Sequence, residues 1–362
     1  MHLVFGNSFS CFINNHIFMV QLFDVKITNC ILHFVGNKSL DIEYKLSSSE
    51  VSLDEKLNFV LTNYFLKSFM GKEECYHFFH NSDLSMNEIF MYASRIFEKQ
   101  ENFVPESQNI VRHLYESSSH PKVKIGELYI AYFTNCLLDG KYVDALGIFK
   151  SEHKDTFIKI IKHETSFSIE SLQGININKL DKGCIIYNVR KENGYMVSIV
   201  DNSNSGEAKY WVNDFLNIIP IEDDSYKTHN LINLSKGFFK QLSCEKVADR
   251  AILLDKSIQA LSSDNISVSK FSSQVFESEY EKKMFDRYST QYQEEHNVNL
   301  NDMFTPSRAI LKKKKSEFKR NTTIHLDNHF DICVHGGEGY MEQGYDDMRG
   351  QKYYKLYFDE ES

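Results

Sequence analysis

Two dipeptides, Asp139-Gly140 and Asn193-Gly194, constrain this chain more than any other feature. Each supplies two residues that tolerate positive φ, the condition for tight primed turns between right-twisted antiparallel strands. Apolar runs flank both. Leu128, Ile130, Tyr132 and Phe133 precede the first and Val143, Leu146, Ile148 and Phe149 follow it; Ile185, Ile186 and Val189 face Val197, Ile199 and Val200 around the second. This pattern predicts two hairpins within one antiparallel meander over residues 125–219. Phe157–Ile161 and Phe167–Ile169 read as two further short strands of the same sheet.

Helical periods bracket the meander. After a strand at Val20–Val35, Ser52 and Glu55 form an S-x-x-E capping box ahead of Leu57, Val60, Leu61, Tyr64, Phe65 and Phe69. Ser85 and Glu88 repeat the box ahead of Ile89, Phe90, Ala93, Ile96 and Phe97, and Ile110, Val111, Leu114 and Tyr115 mark a third helix that stops before His120-Pro121. Pro220 followed by Ile-Glu-Asp-Asp-Ser reads as a boundary. Beyond it, Val247, Ala248, Ala251, Leu254, Ile258 and Leu261 keep helical spacing, as do Phe271, Val275, Tyr280, Met284 and Tyr288, with a fresh N-cap at Ser267 or Ser269. Thr322–Val334 alternates with period two, His335–Gly344 reads as a flexible connection, and Tyr353–Phe358 reads as a last strand.

The expected fold class is α+β, with N-terminal helices and an antiparallel meander followed by a helical region closed by a small sheet. Residues 19–220 and 221–362 are the two expected regions, and residues 1–18, which lack apolar periodicity, are expected to be a disordered extension.

Composition narrows the function classes. No window approaches the roughly 20 apolar residues that a membrane-spanning helix needs. Seven cysteines, odd in number, scattered and without a C-x-x-C pair, point to a reducing compartment and away from a disulfide framework or a zinc knuckle. The net charge of −9 argues against a surface that is basic all over. One segment opposes that balance: Arg308, Lys312, Lys313, Lys314, Lys315, Lys319 and Arg320 stand against Glu317 alone, a local charge of +6.

The stretches GIFKSEHKDTF (147–157), GININKLDKGCIIYN (174–188), VDNSNSGEAKYWVNDFL (200–216) and KYYKLYFDEE (352–361), with HLYESSSHPKVKIGELYIAYF (113–133), resemble the bacterial nucleoid-associated protein family of the NdpA/YejK kind. The resemblance runs collinearly from about Met19 to the C-terminus. It implies a cytoplasmic protein associated with the bacterial chromosome, without a recognised catalytic centre or a cofactor.

On that basis the basic run 308–320 is the first candidate for DNA contact, since a duplex presents about one negative charge per ~1.7 Å of axis. The competing reading is a solvated charge cluster, because four successive lysines point in all directions on a helix. Lys150, Lys154, Lys179 and Lys182 form a candidate secondary basic surface, offset by Glu152, Asp155 and Asp181. The expected partner is double-stranded DNA, read without sequence preference because no recognition-helix signature is visible. The alternative is an acidic interaction module that reaches the nucleoid through a protein partner, and a homo-oligomer fits either reading.

Other constellations are weaker. His120, Lys122 and Glu127 only approach a phosphodiesterase pattern and have no second copy. His113 and His120 lack further ligands at metal spacing. Gly336, Gly337 and Gly339 follow a strand but open no phosphate-binding helix. Trp211 reads as core rather than as a base-stacking platform.

Overall fold

A computed structural model of the chain describes residues 20–21, 25–70, 72, 74–138, 140–202, 210–242, 247–312, 314, 323–326, 329–333 and 341–358. Residues 1–18 therefore lie outside the described part, as do Lys313, Lys315, Lys319, Arg320 and the three glycines at 336–339. The chain divides between Ile221 and Glu222 into two compact units.

The first unit is an antiparallel sheet covered on both faces. Its elements are β1 (Val20–Gln21), β2 (Lys26–Val35), α1 (Glu55–Leu66), β3 (Tyr76–Phe78), α2 (Glu88–Glu98), α3 (Phe103–Ser117), β4 (Gly126–Leu138), β5 (Lys141–Ser151), β6 (Asp155–Lys162), β7 (Phe167–Gly174), β8 (Lys182–Tyr187), β9 (Met196–Asp201), a π-helical segment at Tyr210–Leu216 and β10 (Ile218–Pro220). The strand order is β1-β4-β5-β8-β9-β3-β10, with β2 beside β1 along the same edge of β4. One layer of core packs α2, α3 and the π-helical segment onto Ile130, Leu146, Ile148, Ile186 and Val197. The other packs Tyr64, Phe65 and Leu66 of α1 onto Ala131, Phe133, Phe149 and Ile185, with Phe65 stacked on Phe149 at 4.2 Å between ring centroids. Because successive residues bury into opposite layers, the central strands read as continuous apolar runs rather than as an alternation.

The first predicted hairpin forms as expected: Leu138 pairs with Lys141 across a two-residue turn, and Gly140 has φ of 75°. The second differs. Tyr187 pairs with Met196, so the connection is eight residues long, and Arg190, Gly194 and Tyr195 all take positive φ. Gly194 is required by close approach, since a Cβ there would meet the Phe78 carbonyl oxygen at 2.4 Å. The expectation that β6 and β7 join the main sheet is also corrected, because among the described residues they pair only with each other.

Helix starts are displaced from the two predicted capping boxes. Asp54, not Ser52, caps α1, accepting from the Leu57 N–H at 2.7 Å. Asn87, not Ser85, caps α2, accepting from the Phe90 N–H at 2.9 Å. Carboxylate and amide oxygens compete with serine for this role, and here they sit one residue before the first helical turn.

The second unit holds α4 (Asp224–Gln241), α5 (Val247–Leu261), α6 (Val268–Val275) and α7 (Glu279–His296), then the hairpins β11 (Thr323–Leu326) with β12 (Phe330–Cys333) and β13 (Met341–Asp346) with β14 (Gln351–Leu356). Its core gathers Leu231, Phe238, Leu261, Phe271, Phe276, Phe285 and Leu300. Ser267 caps α6 as expected. Phe276 leaves helical geometry and is buried, so the single predicted helix through Tyr288 is two. The expected flexible connection is shorter at its far end, because Met341–Gly344 already belongs to β13. The α+β class expected from the sequence is the class observed.

Candidate nucleic-acid interface and a buried ionic cluster

The described part of the basic run, residues 308–312 and 314, is helical. Its first turn closes by the Leu311 N–H donating to the Ser307 carbonyl at 3.1 Å, and the Ser307 N–H donates to Thr228 Oγ1 at 2.9 Å. Ile310 is buried in the core of the second unit and Leu311 packs against it. Arg308 and Lys312, four residues apart and hence on one side of the helix, are both exposed. Arg308 lies 3.9 Å from Asp264, but with side chains 82% and 95% exposed this pair is screened by water and holds little. Lys314 is half-buried and already engaged.

The four lysines of the secondary basic surface do not share one fate. Lys179 is exposed, and Lys154 is half-exposed and paired with Glu127. Lys150 and Lys182 are 0% and 2% exposed, so the reading of these two as a phosphate-binding surface is corrected. They occupy a single rung of the sheet, Leu128–Lys150–Lys182–Asp201, at the end of the layer that packs against α2 and α3.

That rung carries its own counter-ions. Lys150 Nζ lies 3.1 Å from Glu152 Oε1, whose side chain is 2% exposed, and donates to the Lys124 carbonyl and, at 3.4 Å, to Tyr210 Oη. Lys182 Nζ donates to Asp201 Oδ2 at 2.8 Å. The Tyr210 ring lies under both ammonium groups, and its hydroxyl donates to Glu152 Oε1 at 3.4 Å. Burial pulls the Lys150 ammonium below its ordinary range, and Glu152 pulls it partly back. Beside the rung, Asp181 Oδ2 accepts from the backbone N–H groups of Glu152 and His153, and its Oδ1 meets His153 Nδ1 at 2.7 Å. Each of the two buried ammonium groups has a carboxylate at close range, which is the condition under which buried ions persist. Glu152 and Asp181 were read from the sequence as offsetting charges and Asp201 was missed; that these carboxylates are buried beside the lysines depends on strand register and on Tyr210, which local sequence does not encode.

Other sequence candidates are absorbed by structure. His113 Nε2 meets the Phe215 carbonyl at 2.9 Å, His120 Nδ1 accepts from the Lys122 N–H at 3.2 Å, and Glu127 is taken by Lys154. Trp211 is fully buried. Among the described residues no group of three metal-ligating side chains comes together, and no helix is long and apolar enough to cross a membrane. A groove of about 560 Å³ beside α1 is lined by Phe59, Val60, Leu66, Met70 and Ile177 with Lys67 as its one charge, a chemistry unsuited to phosphate.

Fold and charge define an acidic α+β protein with a sheet-centred first unit, a helical second unit and one strongly basic segment in the latter. It belongs to the family of nucleoid-associated protein YejK, whose model matches residues 31–349. No curated protein matches the chain.

Proposed function

We propose that this protein binds double-stranded DNA directly, through phosphate contacts from the basic segment 308–320, with little sequence preference, at the nucleoid in the bacterial cytoplasm, and catalyses no reaction. The observation that carries this reading is the helix at 308–312, where a buried Ile310 holds Arg308 and Lys312 on one exposed side at the start of a segment with a local charge of +6. Anchoring matters physically, because side chains mounted on a fixed backbone lose less freedom on meeting a phosphate than those on a free loop. Membership of a nucleoid-associated family supports the destination, and the charge of the segment supports the means.

The test is binding of the full chain to two duplexes of unrelated sequence across a salt series. Phosphate neutralisation predicts that log affinity falls with log salt by about 0.9 per contact and that the two duplexes behave alike. A salt-insensitive or strongly sequence-selective complex contradicts the mechanism.

The net charge of −9 favours a second reading, recruitment to the nucleoid by a protein partner without DNA contact. Purified protein that ignores DNA yet sediments with the chromosome from extracts supports it.

A further inference from the structure

Beside the buried rung, three side chains form a hydrogen-bonded series that ends at the surface. Asp181 is buried, and its Oδ2 accepts from the N–H groups of Glu152 and His153 at 2.7 and 3.1 Å. Its Oδ1 meets His153 Nδ1 at 2.7 Å. A carboxylate only accepts, so Nδ1 carries the hydrogen and, in the neutral ring, Nε2 carries the lone pair. That lone pair faces Lys124 Nζ at 2.6 Å. Lys124 is exposed and the His153 side chain is 45% exposed, so a solute can reach the amine. The amine is also mounted on a fixed backbone: the Lys124 carbonyl accepts from buried Lys150, and the Val123 carbonyl accepts from Asn37 Nδ2 at 2.7 Å. Carboxylate, imidazole and amine in this order activate a nucleophile, the imidazole taking a proton as the new bond forms.

We propose that Lys124 is a site of self-acylation by acyl phosphates, with His153 as the general base. In molecules whose Lys124 amine is neutral, Nζ attacks the acyl carbonyl carbon and a C–N bond forms. His153 Nε2 takes a proton from the nitrogen as it becomes positive. The bond from the acyl carbon to the phosphate oxygen then breaks, its electron pair leaves with the phosphate, and the proton passes from His153 to that phosphate. The products are an amide on Lys124 and inorganic phosphate, with nothing oxidised or reduced. Each chain reacts once, so this is a modification without turnover, and it removes one positive charge. Charge favours a phosphate-bearing donor. His120, Lys122 and Lys124 stand within one short stretch that holds no carboxylate, Glu127 is taken by Lys154, and Glu152 is buried against Lys150. This proposal is independent of DNA binding.

The test is incubation of the full chain with acetyl phosphate, followed by mass spectrometry of acetylation at each lysine over time. Lys122 is the internal control: it is exposed on the same stretch, and its side chain has no partner among the described residues. Lys124 should react at least about tenfold faster than Lys122, within the gain that a positioned general base supplies. His153→Gln keeps a polar side chain that is not a base; with an unchanged circular dichroism spectrum, it should abolish the advantage and leave the Lys122 rate as in the parent. A Lys124 that reacts no faster than Lys122, or that keeps its advantage in the variant, overturns the proposal. If the variant misfolds, the unaltered chain in denaturing urea decides: unfolding should abolish the advantage of Lys124 over Lys122, and an advantage that persists overturns it.

Discussion

Lys150 and Lys182 stand opposite one another on β5 and β8 with both ammonium groups buried, 5.8 and 5.3 Å from the centre of the same Tyr210 ring. Two like charges in adjacent positions are tolerated because Glu152 and Asp201 answer them at 3.1 and 2.8 Å. Removing one member of such a set leaves its partner charged, buried and unmatched. Lys150→Met should therefore destabilise the first unit by about 3–5 kcal/mol, and the double change Lys150→Met/Glu152→Gln should recover part of that loss. Urea unfolding midpoints measure both; a single variant within 1 kcal/mol of the parent, a difference of about fivefold in the folding constant, would show that water reaches the cluster.

His33 makes stability depend on pH. It is 3% exposed, its Nδ1 accepts from the Ser47 N–H at 3.0 Å, and its Nε2 lies 3.1 Å from Ser107 Oγ, an arrangement that holds the neutral ring. Burial lowers its proton affinity from the ordinary 6.5 to about 4. Between those values the unfolded chain takes a proton that the folded chain refuses, so stability is full above 6.5 and is lost as pH falls toward 4. The loss amounts to no more than about 3 kcal/mol. Thermal unfolding across this range should show a steeper fall for the parent than for His33→Gln, and parallel curves would contradict the assignment.

Cys30, Cys75, Cys136 and Cys184 are buried thiols. Burial pushes the Cys30 and Cys136 thiols up to about 12, and Cys184 upward as well, so thiolate is scarce as well as shielded. Under native conditions these four should resist a thiol-exchange reagent and should react together once denaturant unfolds the sheet. Labelling followed by peptide mapping would reveal any that react early.

Asn87 ties three segments together. Its carbonyl oxygen caps α2, and its amide donates to the carbonyls of Phe79, Leu216 and Asn217 at 3.2, 3.0 and 3.1 Å. Asn87→Ala should destabilise by about 2 kcal/mol or more, since it removes the buried bond to the Leu216 carbonyl and two part-buried ones as well as the helix cap. Ser85→Ala should change the denaturation midpoint little.

The contrast between Ser85 and Asn87 shows how far the sequence was legible. Apolar periodicity located α1, α2, α3, α5 and α6, and the Asp139-Gly140 turn located the β4–β5 hairpin, because these signals are local. Choices settled by distant groups were not readable. Asn87 is favoured over Ser85 by carbonyls 129 and 130 residues away. The helix α4 went unpredicted because buried Thr228, Asn230 and Ser235 interrupt its apolar stripe; each hydroxyl or amide returns to a carbonyl of its own helix. The same reasoning separates the candidate site residues. Arg308 and Lys312 fall on one exposed side because helix spacing puts them there, whereas Lys150 and Lys182 were mistaken for surface residues because their burial comes from register across three strands, which also brings Asp201 to Lys182.

Direct binding through the basic segment is tested most directly by the full chain carrying Lys312→Gln, Lys313→Gln, Lys315→Gln and Lys319→Gln together. The changes remove four positive charges and keep long polar side chains, so folding should survive, surface substitutions usually costing within about 0.5 kcal/mol each. Duplex binding is measured by fluorescence anisotropy at several salt concentrations. The account predicts affinity lower by about tenfold or more at moderate salt and a shallower dependence on salt. A variant that binds duplex DNA as tightly as the parent at every salt concentration would contradict it and place the DNA surface elsewhere on the molecule.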